Sequence, residues 1–217
     1  FKKYLMKNII VVTGGAGFIG SHMVDLLLKK KYTVLVIDNL IGGHLNNNSH
    51  HKKNKNIFFK NIDIRKKILD KNLFKNVDYV YHFAGIADIQ ESKEKPIETI
   101  ELNVMGTAKI LETIVKTNVK RFIFASTMYV YSPYGSFYRA TKQSSESIIE
   151  VYSKEFGIDY SFLRYGSVFG PRAQSWNGLR GYVEQIFKSG KLDYHGTGKE
   201  VREYLHVKDA AKLSVDI

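Results

Sequence analysis

The sequence predicts an α/β fold: a doubly wound, mostly parallel sheet with helices on both faces, followed by the start of a small C-terminal lobe. Three observations carry that expectation. Residues 9–27 run from an apolar, β-branched segment through three glycines into an apolar stripe at helical spacing. Further short apolar runs then alternate with helix-period stripes as far as Leu163, the mark of parallel strands joined by helical crossovers. A chain of 217 residues that is 44% hydrophobic and 25% charged has the length and composition for one sizeable core.

Each element follows in order. Residues 9–12 read as a buried strand. Gly14, Gly17 and Gly20 come next, and Ile19, Met23, Leu26 and Leu27 set a helix from near Phe18. Strand, glycine turn and helix together aim backbone N–H groups and a positive helix end at a phosphate. The glycines permit the tight turn, close approach of a pyrophosphate, and close packing of helix on strand. No Gly-Lys-Ser/Thr closes the loop, so a triphosphate P-loop fits worse. Residues 33–37 form a second buried strand ending at Asp38. The stretch 39–56 is polar and rich in Asn, Gly, His and Lys, so it is a loop or a short, poorly packed helix. Residues 57–61 are a third strand, followed by Asp63 and a short helix to about Phe74. Residues 77–83 are a fourth, running into Ala84 and Gly85. Pro96 suits the first turn of a long helix whose apolar positions are Ile97, Ile100, Val104, Ala108, Leu111 and Val115. A fifth strand is expected at 121–125, a helix at 138–156 and a sixth strand at 160–163. Past Arg164 the alternation stops. Helices are expected at 182–188 and 207–215, with a short strand at 192–195. That is too little for a free-standing domain. The expected division is a dinucleotide-binding domain over 1–165 and a partial substrate-binding lobe over 166–217.

The 33 basic and 21 acidic residues give a formal charge of +12. The lysines are spread over helix ends and loops (Lys29, Lys30, Lys31, Lys52, Lys53, Lys55, Lys66, Lys67) rather than gathered in one aromatic-interleaved stripe. Nucleic-acid binding is therefore not expected, whereas a positive field helps gather an anionic, phosphorylated substrate. The absence of cysteine removes disulfide and thiolate chemistry. No apolar run approaches the ~20 residues that span a bilayer, and residues 1–8 carry no signal-peptide apolar core. A cytoplasmic protein with no membrane partner is expected.

Five positions bear chemistry. An acid at Asp38 hydrogen-bonds the adenosine ribose and repels a 2′-phosphate, which favours NAD over NADP; the same residue also serves as a turn cap. Asp63 is placed to meet the adenine, or to cap a helix. Tyr138 and Lys142 form Tyr-x-x-x-Lys, on one helix face. Tyrosine alone, with a pKa near ~10, is a poor base. A lysine ammonium and the positive nicotinamide ring favour its phenolate. Thr127 sits just past the fifth strand, where its hydroxyl shares a proton with substrate and Tyr138 or forms a turn.

These residues carry a resemblance. TGGAGFIG, Asp38-Asn39, HFAG, Asn103 in NVMGT, Ser126-Thr127, YRATK, LRYGSVFGPR and REYLHVKDAA stand in the order seen in the extended short-chain dehydrogenase/reductase family. More narrowly, the chain resembles its nucleotide-sugar epimerase/dehydratase group, which includes UDP-glucose 4-epimerases. The resemblance spans nearly the whole chain. It implies a Rossmann-type domain binding NAD, a catalytic set of Thr127, Tyr138 and Lys142, a UDP-sugar as the expected substrate, and a homodimer. The dimer is expected to pair through the 97–115 helix and the Tyr138 helix, with Ser147 and residues 148–152 offering small and apolar positions. Cofactor contacts are implied from Gly14, Gly17, Phe18, Ile19, Gly20, Asp38, Asn39, Asp63 and Ile64. Others are implied from Phe83, Ala84, Gly85, Asn103, Tyr138, Lys142, Tyr165 and Val168. Substrate contacts are implied from Thr127, Ser167 and Arg202, and no metal. Four departures bear on activity. Family 4,6-dehydratases carry Asp-Glu, or at least Glu, just after the catalytic Thr, where Met128 and Tyr129 stand here. That argues for epimerisation through a transient 4-keto sugar. Dehydration or reduction of a nucleotide sugar, or non-catalytic NAD binding, are the other readings. The Thr127–Tyr138 link is short, and Ser167 stands where galactose epimerases often have Asn. The chain also ends where family members continue, so the substrate lobe is expected to be partial.

Overall fold

The computed structural model describes residues 9–66, 68–194 and 196–216. The expectation about 1–8, Lys67 among the dispersed lysines, and the end of the 192–195 strand at His195 lie outside them.

In chain order the elements are β1 (Ile9–Thr13), α1 (Phe18–Lys29), β2 (Thr33–Asp38), β3 (Ile57–Asn61), β4 (Val77–His82), α2 (Ile89–Glu94), α3 (Pro96–Ile100) and α4 (Gly106–Ile114). They continue with β5 (Arg121–Thr127), α5 (Ser136–Phe156), β6 (Tyr160–Tyr165), β7 (Ser167–Phe169), α6 (Gly178–Ser189), β8 (Tyr204–His206) and α7 (Val207–Val215). Six strands form one sheet in the order β3-β2-β1-β4-β5-β6, every pair parallel. The chain winds outward from β1 to β3, then returns to lay β4 on the other side of β1. This is the doubly wound, Rossmann-type arrangement expected, and the reversal opens a crevice at the carboxyl ends of β1 and β4.

Successive residues of a strand point to opposite faces, and both faces here are covered. Ile10 and Val12 of β1 and Val34 and Val36 of β2 pack against Met23, Val24 and Leu27 of α1 and Ala211 of α7. Val11, Leu35, Ile37, Val80, Phe122 and Phe124 pack against Ile110, Leu111 and Ile114 of α4 and Ile149 of α5. Double coverage is why the inner strands read as unbroken apolar runs. Each such side chain contributes roughly 1.5–3 kcal/mol through burial.

Several elements differ from expectation. The long helix after Pro96 is interrupted by a π turn over Glu101–Met105. Asn103 sits at its centre, with its side chain drawn toward the loop after β4. The short helix before Phe74 contracts to a 3-10 turn, Lys71–Phe74, capped by Asp70. α2 was not expected; Asp88 caps it by accepting from the Gln90 N–H. α5 begins two residues before Tyr138, after Gly135 at φ 108°. No strand forms at 192–194, because the Asp193 N–H donates to the Gln185 side chain rather than to a ladder. The second sheet is instead β7 paired parallel with β8. Leu45–His51 is a 3-10 helix with no buried residue, matching the expected poorly packed segment.

Candidate active site

A cavity of about 800 Å³ opens at the sheet's switch point, toward the upper end of the roughly 300–1,000 Å³ typical of small-molecule and cofactor sites. The glycine turn forms one wall. Gly14 sits at φ +68°, and a Cβ there would lie 2.6 Å from the Ala84 nitrogen, so only glycine lets this turn meet the loop after β4. A Cβ on Gly20 would lie 2.2 Å from the Gly14 carbonyl oxygen. Gly17 caps α1 without a side-chain hydrogen bond, and the following Phe18, Ile19 and Gly20 also line the cavity. Their N–H groups have no partner within the helix, so a positive helix end faces the cavity.

Asp38 closes β2 on the same wall. Its Oδ2 accepts from the Ala16 N–H at 2.9 Å and its Oδ1 from the Leu40 N–H at 2.8 Å. Each carboxylate oxygen keeps a further acceptor site, enough for ribose hydroxyls. Asn39 and Ile64 line the cavity too, but Asp63 does not. Its carboxylate is gripped by Arg65, with Nη2 2.7 Å from Oδ2, and Asn39 hydrogen-bonds it as well. The Arg65 guanidinium holds it down at about 2. Asp63 thus locks a turn through an ion pair and caps no helix; it lines a second cavity that adjoins the first through Asn39, Ile41 and Ile62.

Phe83, Ala84 and Gly85 form the opposite lip. Asn103 does not reach the cavity. Its Oδ1 accepts from the Ile86 N–H at 2.8 Å, and its amide donates to the Ile86 carbonyl at 3.0 Å and Thr141 Oγ1 at 3.1 Å. It braces the lip from behind. A Cβ on Gly85 would meet Asn103 Oδ1 at 2.9 Å and Lys142 Nζ at 3.6 Å, so that glycine keeps open a cradle beside the lysine.

Thr127, Tyr138 and Lys142 converge on the cavity from β5 and α5. The Thr127 side chain acts on the Tyr138 phenol to favour its anion, and its Oγ1 accepts from the Tyr129 N–H at 3.2 Å. Lys142, buried on α5, donates from Nζ to the Ala125 carbonyl at 2.8 Å and lies over the Phe124 ring at 4.6 Å. Burial pulls the lysine down to about 8, against the raising effect of Glu146. Burial likewise pushes the Tyr138 phenol up to about 12, against the lowering contact with Thr127. The expected phenolate depends on the lysine ammonium together with the nicotinamide ring; in the protein alone desolvation dominates at Tyr138, and the ammonium is turned toward Ala125.

Behind Lys142 lies a network that sequence reading missed. Glu146 Oε1 accepts from Ser126 Oγ at 2.5 Å, and Arg164 Nη2 donates to Glu146 Oε2 at 2.8 Å. The i,i+4 spacing of Lys142 and Glu146 was the available signal; nothing in sequence announced Arg164.

Tyr165 and Val168, expected against the cofactor, and Ser167 and Arg202, expected against the substrate, all line the cavity. Tyr165 stacks near Phe83, ring centroids 6.3 Å apart, and its hydroxyl meets Ser214 of α7 at 2.7 Å. Trp176, Asn177 and Tyr182 also line the cavity; they fall in the stretch with no sequence rhythm, where no pattern singled them out.

The residues fit a dinucleotide: a helix end for the pyrophosphate, acceptors at Asp38 for a ribose, and the Gly85–Lys142 cradle beyond. Comparison with known proteins agrees. The model of the NAD dependent epimerase/dehydratase family matches residues 10–216. The chain is 35% identical to a putative UDP-glucose 4-epimerase of Methanocaldococcus jannaschii, over 95% of this chain and 72% of that protein. It is 32% identical to a UDP-N-acetyl-alpha-D-glucosaminuronate decarboxylase of Bacillus cytotoxicus, over 97% and 71%. The structure of UDP-glucuronic acid 4-epimerase from Bacillus cereus, in complex with UDP-glucuronic acid and NAD, superposes with a TM-score of 0.89 at 31% identity, over 95% and 72%.

Proposed function

The chain belongs to the NAD-dependent epimerase/dehydratase family, and within it we propose that this protein epimerises a nucleotide sugar, a UDP-sugar, at C4 through a transient 4-keto sugar. The observation that carries the reading is the convergence of Thr127, Tyr138 and Lys142 on one cavity wall, with Met128 and Tyr129 next to Thr127 in place of acids. NAD, when held in this cavity, would supply the acceptor and donor for the C4 hydride.

Tyr138 Oη takes the proton of the sugar 4-hydroxyl and gives it back to the same oxygen once the 4-keto sugar has turned to present its opposite face to the returning hydride. Oxidation removes one proton and one hydride; the return step restores both, so the sugar's composition is unchanged. Thr127 donates to Tyr138 Oη, which favours the anion. Lys142 holds the nicotinamide ribose and supplies positive charge near the phenol. Gly14, Gly17, Phe18, Ile19 and Gly20 hold the pyrophosphate, Asp38 and Asn39 the adenosine ribose, and Phe83, Ala84 and Gly85 the nicotinamide side with Tyr165 and Val168. Ser167 and Arg202 hold the substrate. We assign residues 1–165 to the NAD-binding domain and 166–217 to a substrate-binding lobe, with α7 packed back onto α1. We place the protein in the cytoplasm, as a homodimer pairing through α3, α4 and α5.

The test is incubation of the protein and NAD with UDP-, GDP-, CDP- and dTDP-sugars, followed by NMR. A C4 epimer pair is the expected result. A 4-keto-6-deoxy sugar as the product overturns epimerisation in favour of dehydration, and NAD binding without turnover of any donor overturns catalysis.

A further inference from the structure

Outside the cavity, one group of side chains has no part in the proposed reaction. Asp25 on α1 faces the Leu45–His51 segment, the Asn- and His-rich stretch that packs no residue into the core. His50 Nε2 and His51 Nε2 both reach Asp25 Oδ1, at 2.9 and 2.8 Å. The three ligand atoms lie within 4.8 Å of one another, the one such cluster among the described residues.

We propose that Asp25, His50 and His51 form a binding site for a divalent transition-metal cation of the Zn²⁺ class. Two imidazole nitrogens and one carboxylate oxygen are a borderline donor set that suits Zn²⁺ and its neighbours and lacks the all-oxygen shell of Mg²⁺ or Ca²⁺. The two rings lie 4.0 Å apart, tilted by 43°, with both Nε2 atoms aimed at a single oxygen. A metal seated among the three atoms takes one lone pair from each, and water completes a tetrahedron. The carboxylate is already oriented from behind. Arg172 Nη2 lies 2.9 Å from Asp25 Oδ2 and Arg172 Nη1 donates to Ser21 Oγ at 3.2 Å, the kind of outer contact that aims a metal ligand.

Location gives the site its consequence. Asn47 and Asn48 in the same segment donate to the Ala16 and Gly15 carbonyls of the glycine turn, at 2.8 and 2.9 Å. A metal joining His50 and His51 to α1 therefore staples this segment over the back of the turn. Binding to the folded chain alone raises its stability by mass action.

The test uses tag-free protein freed of metal by chelator and dialysis, titrated with ZnCl₂ by calorimetry and followed by thermal melting. One Zn²⁺ per chain and a melting temperature that rises with Zn²⁺ are expected. His50→Gln and His51→Gln, both at an exposed or half-buried surface, are each expected to weaken binding by roughly tenfold or more. The double variant is expected to lose binding while keeping the wild-type circular dichroism spectrum and metal-free melting temperature. No saturable uptake at millimolar Zn²⁺ overturns the proposal. So does a folded double variant that binds Zn²⁺ as tightly as wild type.

Discussion

Tyr138 is where the proposed chemistry is most exposed to test. Tyr138→Phe keeps the ring and its packing but removes the oxygen, so turnover is expected to fall by roughly two to four orders of magnitude, with NAD binding and melting temperature nearly unchanged. Thr127→Val removes the hydroxyl that favours the anion and is expected to cost less; turnover measured on both variants decides, and wild-type turnover by Tyr138→Phe rejects that residue as the base. Lys142 illustrates a conflict between stability and function. Its pKa is lowered from 10.5 to about 8, so the native state binds fewer protons than the unfolded state between those values. Its burial therefore costs stability below about pH 8, and the cost is relieved as pH rises toward 10.5. Lys142→Met is expected to melt at or above the wild-type temperature at pH 7 while losing turnover and NAD affinity, and to move the activity profile to higher pH. His82 works at the acid end. Its Nδ1 pairs with Thr13 at 2.7 Å and its Nε2 with Thr107 at 3.0 Å, and full burial lowers it to about 3. The stability of the neutral ring is present above about pH 6.5 and lost as pH falls toward 3. Unfolding midpoints of wild type and His82→Gln across pH 4–7 are expected to converge as pH falls.

Among the elements, the glycine turn and the π turn do the positioning. Gly14→Ala places a Cβ on left-handed backbone and drives it against Ala84. A loss on the order of 2–4 kcal/mol is expected, from the left-handed penalty of about 1–2 kcal/mol plus displacement of the opposing lip. Denaturant unfolding with and without NAD checks it, and an unchanged midpoint would falsify the steric account. The π turn sets Asn103 so that one side chain fixes both the Ile86 backbone and α5 through Thr141. An insertion of one residue in a turn leaves the apolar periodicity of its flanks intact, so 97–115 reads as one continuous helix in sequence and folds as three segments.

At the scale of the molecule, the sheet buries both faces under helices yet leaves apolar residues on its outer helices. Ile97 is 65% exposed and Val151 58% exposed, on the helices through which a homodimer is proposed. Light scattering at micromolar concentration is expected to give twice the chain mass, and Val151→Glu to give a monomer; a wild-type monomer rejects the interface.

The sequence by itself determined the six strands of the main sheet, the doubly wound class and most of the cavity wall. Those rest on local signals: β-branched runs, helical apolar stripes, and glycines at positions a Cβ would fill. Tyr138 and Lys142 were legible because they share one helix face four residues apart. What only the tertiary structure decided depends on partners distant in the chain. Asp63 carries an ion pair with Arg65 that its position after the third strand did not announce. Asn103 turned out to brace the lip from behind, and Tyr138 took its high pKa from burial that no spacing encodes. Asp25 and His50 lie 25 residues apart, and only the fold of the polar segment over α1 brings them together. A local pattern fixes which way a side chain leaves its own element; what it meets there is set by packing of the whole chain.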